Sequence, residues 1–246
     1  MIRLILLLSA VIAATAAVLA VPASADQAAG AYRPIAKVKL KHAPFDACME
    51  ACFDTAARER NRVGPEPAAP LYRLSPTQAA TGRGIFLRNL AARLNMSEAD
   101  IGPLVPDWDD ALSQWRAEDP QGDYRPNDLA DVVAKYWLFA WMFGAGVLPE
   151  KVPEPLRAAA RAQMHRLFQS DQVLALLTEG QRQGMAETLI RGQYADVLAL
   201  STSTASREQI LAAMDNIVVH FESLFDIDLR KLALTSDQGF VLQTSP

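Results

Sequence analysis

The stretch NDLADVVAKYWLFAWMF, residues 127–143, restricts the possible folds of this chain more than any other. Leu129, Val132, Val133, Tyr136, Trp137 and Ala140 recur at helical spacing, and Leu138, Phe139, Trp141 and Met142 fill the opposite face. A helix that becomes apolar all round has to be buried. The longest apolar run beyond the first 25 residues, Tyr136 to Leu148, is shorter than the ~20 residues that span a bilayer, so the burial is inside protein. Asn127 is the expected cap of this helix, and Gly144 or Gly146 its stop.

The rest of the chain supplies partners for such a core. SPTQAATGRGIFLRNLAARLN, residues 75–95, opens with Ser75 as cap, Pro76 at the first helical position and Gln78 three residues after the cap. Ile85, Phe86, Leu90 and Leu94 mark one face of this helix, and Gly82 and Gly84 in its first half signal either a break or a close helix contact. Further helices are expected over about 106–117, 153–169, 171–178, 180–200 and 204–225. No alternating run of strand length competes with them. The expected fold class is all-α, an irregular multi-helix bundle around the central apolar helix, with a short helical appendage at the N-terminus.

The N-terminal third divides differently. Arg3, the apolar run from Leu4 to about Val21 and Ala23-Ser24-Ala25 have the layout of a signal peptide cleaved after Ala25. Residues 26–44 then read as an extended or disordered lead-in, 45–60 as a short helix, and 61–74, with Gly64, Pro65, Pro67 and Pro70, as a linker into a helical domain over 75–242. The expected compartment is the periplasm or the medium, and no membrane span is expected once the leader is removed. A formal charge of −4, without any run of like charges, argues against nucleic acid as the partner.

Both cysteines lie in FDACMEACFD, as Cys48 and Cys52. Export places the thiols where an even pair normally closes into a disulfide, although β-carbons four residues apart on a helix are about 5–6 Å apart and the bond requires a distorted turn. The alternatives are a soft metal such as copper(I), held by Cys48 and Cys52 with Met49 or His42, and a thiol-redox pair.

Two other constellations bear on chemistry. Gln183, Glu187, Arg191 and Tyr194 share one helical stripe, so Glu187 is a candidate general acid for an envelope polymer, with Asp196 as the second carboxylate. The plainer reading is a Glu187–Arg191 ion pair on a solvated or half-buried face. Trp108 and Trp115, seven residues apart, with Asn127, Asp128 and Asp131 at the start of the central helix, are candidates for a groove that takes a partner or ligand. No cofactor is implied.

NDLADVVAKYWLFAWMF, GQRQGMAETLI and LALTSDQGFVL together resemble a family of exported bacterial proteins known only as a domain of unknown function, over about residues 71–242. The resemblance implies export and a helical domain and supplies no catalytic residue. The expected function is therefore a non-catalytic binding or interaction protein of the cell envelope, its partner an unknown protein or small molecule. The competing classes are a polymer hydrolase using Glu187 and a copper or thiol-redox protein using Cys48 and Cys52.

Overall fold

A computed structural model describes residues 32–35, 68–94, 96–105, 107–119, 122–145, 152–170, 177–200 and 207–243. The proposed leader, Cys48, Cys52, Met49, His42 and the helix expected over 45–60 lie outside the described residues. The fold is all-α, a bundle of seven described helices with one small sheet. Strand β1 (Tyr32–Pro34) precedes helices α1 (Pro76–Leu94), α2 (Glu98–Ile101), α3 (Trp108–Ala117) and α4 (Leu129–Ala145). Helices α5 (Glu154–Ser170), α6 (Glu179–Leu200) and α7 (Arg207–Phe225) follow, then the hairpin β2 (Leu232–Thr235) and β3 (Gly239–Gln243).

Helix α4 is the central element. Every residue from Asp128 to Ala140 is buried, and exposure returns only at the helix end. Its cap is Asp128 rather than Asn127: the carboxylate oxygen Oδ1 accepts from the backbone N–H of Ala130 at 3.0 Å and of Asp131 at 3.3 Å. The aspartate wins because a charged acceptor suits the positive end of the helix dipole. Helix α1 starts at Pro76, directly after Ser75, as its sequence dictates. No described helix is long and apolar enough to cross a membrane.

The chain divides into two compact units. One collects β1, the described residues of Trp137–Gln163, and the described residues from Asp196 onward; the other collects the described residues of Lys41–Tyr136 and Met164–Ala195.

In the first unit, the fully buried Trp137 is surrounded edge-on by Phe221, Phe225 and Phe240 at centroid separations of 5.1, 5.2 and 5.4 Å. These arrangements set ring edges against ring faces, the favourable orientation of aromatic quadrupoles. Helix α7 ends where Asp226 turns left-handed, at φ 58°.

The strands are the part of the fold that periodicity did not reveal. Strand β3 pairs antiparallel with both β1 and β2. Ser236 to Gln238 form a three-residue loop closed by Gly239 at φ 82°, a conformation glycine adopts without steric penalty. A Cβ on Gly239 would stand 2.6 Å from Gln163 Oε1 and 2.9 Å from the Ala159 carbonyl, so the hairpin approaches α5 to backbone distance. Gln163 then acts as a substitute strand: its Nε2 donates to the Phe240 carbonyl at 2.7 Å, and its Oε1 accepts from the Phe240 N–H at 2.7 Å.

Gln163→Leu leaves both of those buried backbone groups unsatisfied and should destabilise the protein by about 2 kcal/mol or more, read from the urea unfolding midpoint.

Candidate functional site

Apart from Gln163, every buried polar or charged residue among those described belongs to the second unit: Asp128, Asp131, Lys135, Glu179, Arg182, Gln183, Glu187, Arg191 and Gln193. Burying so many polar groups in one place is costly unless each is matched. Seven of these nine fall into three groups; Glu179 binds Arg73, and Arg182 donates to the Leu177 carbonyl.

The first gathers at the start of α4. Asp128 and Asp131 lie one helical turn apart and are 1 % and 0 % exposed. The guanidinium of Arg125, just upstream, donates through Nη2 to Asp128 and through Nε to Asp131 Oδ2 at 2.9 Å, and the Arg125 backbone N–H reaches the same Oδ2 at 3.1 Å. From α5, His165 places Nε2 at 2.6 Å from Asp131 Oδ1 and 4.0 Å from Asp128 Oδ2. Burial and the neighbouring Asp131 push the Asp128 carboxyl above its ordinary value, against the pull of His165 and Arg125. Spacing marked the two aspartates; His165 was invisible beside them, because 34 residues separate it from Asp131 and only the packing of α5 on α4 brings it there.

A second group ties α3 to α4. Lys135 donates to the Trp115 carbonyl, lies 4.0 Å from the centre of the Trp115 ring and is 3.9 Å from Glu118. Burial lowers its pKa to about 8, opposed by the charges of Glu118 and Asp119. The Glu118 carboxylate accepts from Gln114 at 3.1 Å and from Gln193 at 2.6 Å, yet burial still raises its pKa. Trp115 is thus a buried support for an ammonium group, 2 % exposed, and not an open groove wall.

The third group surrounds Glu187 on α6. Gln183 Nε2 donates to Glu187 Oε1 at 2.7 Å and to the Ser75 carbonyl at 2.9 Å, while Gln183 Oε1 accepts from the Ser75 N–H at 3.0 Å. Arg191 Nη2 lies 3.8 Å from Glu187 Oε2, with both side chains 1 % exposed. The pair is therefore buried, and the expected solvated or half-buried face is corrected. Gly82 provides the room: a Cβ there would stand 2.5 Å from Glu187 Oε2, so this glycine marks a close helix contact and not a break. Burial raises the pKa of Glu187 to about 7, against the lowering effects of Gln183 and Arg191. Asp196, the expected second carboxylate, lies further along the same helix. Nine residues along a helix place it half a turn out of phase, on the opposite face.

Arg191 also lies 5.3 Å from the centre of the Trp108 ring. Trp108 is half-buried, and Asp107, Asp109 and Asp110 beside it are exposed. Asn127 is half-buried and its backbone carbonyl accepts from the Tyr72 N–H at 3.1 Å, which joins α4 to the segment from Leu71 onward that was expected to close the linker.

No protein-family model, no curated protein and no solved structure matches this chain.

Because the folded protein holds the Glu187 proton more tightly than the unfolded chain, stability should fall as pH rises from about 4.5 to about 7. Glu187→Gln should remove this dependence, so thermal unfolding of the variant gains on the wild type between pH 5 and pH 8, by up to about 3 kcal/mol.

Proposed function

We propose that this chain is an exported, non-catalytic binding protein of the cell envelope, released into the periplasm or medium by cleavage after Ala25, and that it takes a protein partner or small ligand on the face around Trp108. The observation that carries this reading is the enclosure of Glu187. A general acid has to reach the leaving oxygen of its substrate, and its partner carboxylate must sit within about 5–10 Å. Glu187 is 1 % exposed against Gly82, Gln183 and Arg191, and Asp196 faces the other way. Its raised pKa is the consequence of that enclosure.

Trp108 has the opposite character. Its indole is partly open and backed by the Arg191 guanidinium, which holds an aromatic surface in place. The exposed Asp107, Asp109 and Asp110 make the surround acidic, a setting that favours a partner bearing basic groups. The leader sequence and the resemblance to an exported family over about 71–242 support the compartment.

Incubated with isolated cell envelope, the purified mature protein should be retained, Trp108→Ala should weaken retention by about tenfold or more, and Glu187→Gln should leave it unchanged. Release of soluble fragments from envelope polymer by the wild type and not by Glu187→Gln would replace this reading with the hydrolase.

A further inference from the structure

We propose that Asp128, Asp131 and His165 form a binding site for a divalent transition-metal ion of the zinc class, with Arg125 as the cation that the incoming ion displaces. The inference is independent of the Trp108 face. One oxygen from each carboxylate and one ring nitrogen of His165 lie within 4.8 Å of one another, supplied by the cap and first turn of α4 and by the facing helix α5. Ligand atoms around an ion at ~2.1 Å sit about 3–3.5 Å apart. The His165–Asp128 separation of 4.0 Å has to contract and the His165–Asp131 separation of 2.6 Å has to open slightly, adjustments of the size that side-chain rotation supplies.

The oxygens are divided in a way that suits this exchange. Asp128 Oδ1 is committed to the helix cap, and Asp131 Oδ2 accepts from the backbone N–H of Arg125. The remaining two, Asp128 Oδ2 and Asp131 Oδ1, face the Arg125 guanidinium and His165. Both carboxylates are thus oriented by second hydrogen bonds that need not break when an ion arrives, the support that metal ligands ordinarily have. The guanidinium has to leave, giving up its bonds to Asp128 Oδ2 and, through Nε, to Asp131 Oδ2, and its side chain is 48 % exposed, so solvent is open to it. The His165 side chain, 24 % exposed, marks the route by which an ion enters.

The donor set selects the ion. Magnesium and calcium prefer shells made entirely of oxygen, whereas imidazole combined with carboxylates suits zinc, iron, manganese or nickel. Three protein ligands leave further coordination positions to water or an exogenous group.

The test is zinc titration of the full mature chain, followed by native mass spectrometry and calorimetry, in a Cys48→Ser, Cys52→Ser background that removes thiol ligands. The wild-type site should take up one zinc ion per chain, His165→Gln should weaken binding by about tenfold or more, and Arg125→Ala should tighten it by about tenfold by removing the competing charge. Circular dichroism and thermal unfolding serve as the folding controls for both variants, whose changes fall on partly exposed side chains. Absence of stoichiometric zinc uptake, or uptake that His165→Gln and Arg125→Ala leave unchanged, overturns the proposal.

Discussion

The structure depends on how α4 tolerates charge. Asp128, Asp131 and Lys135 sit on a helix whose every residue up to Ala140 is buried, and an isolated ion in such a place would cost several kcal/mol. Each is matched from a different element: Asp128 and Asp131 by Arg125 and His165, and Lys135 by the Trp115 carbonyl, the Trp115 ring and Glu118. The ionic contacts fix one register, because displacement by a single residue would leave a carboxylate or an ammonium group buried beside the wrong neighbour.

The same logic separates the two units. One is organised around aromatic packing on Trp137, with Gln163 as its single buried polar group among the described residues. In the other, Glu179 shows how matching works in detail: burial alone would raise its pKa, but the Arg73 backbone N–H and guanidinium bind it so closely that the carboxyl titrates below its ordinary value. Glu187 is the contrasting case. Its Oε2 has no hydrogen-bond donor within reach and the nearest guanidinium nitrogen is 3.8 Å away, so burial prevails and the pKa rises. A buried acid of this kind resembles a catalytic group by its titration alone. Its carboxyl is enclosed by Gly82, Gln183 and Arg191.

Much of the fold was legible because helices write their periodicity along the chain. The central helix, the start of α1 at Pro76 and the apolar face of α7 all follow from spacing. The β2–β3 hairpin was not legible, since LALTSDQGFVL has no alternation; Gly239 after a short polar loop was its only mark. The candidate site was half legible. Asp128 and Asp131 announce themselves as acids at the start of a helix, yet it is Asp128 and not Asn127 that caps it, as a charged acceptor at the positive end of the helix dipole, and His165 arrives from a distant helix. Glu187 and Arg191 were paired correctly by their four-residue spacing, while their depth followed from Gly82 on another helix, which local pattern does not encode.

The central claim is that the charges around the start of α4 act as a matched set. A double-mutant cycle on Arg125 and Asp131, using Arg125→Met and Asp131→Asn in urea unfolding, tests it most directly. The matched set predicts a coupling energy of about 1–3 kcal/mol, with Asp131→Asn less damaging once Arg125 is gone. Strictly additive effects would contradict it, and would mean that apolar packing alone holds α4 in place.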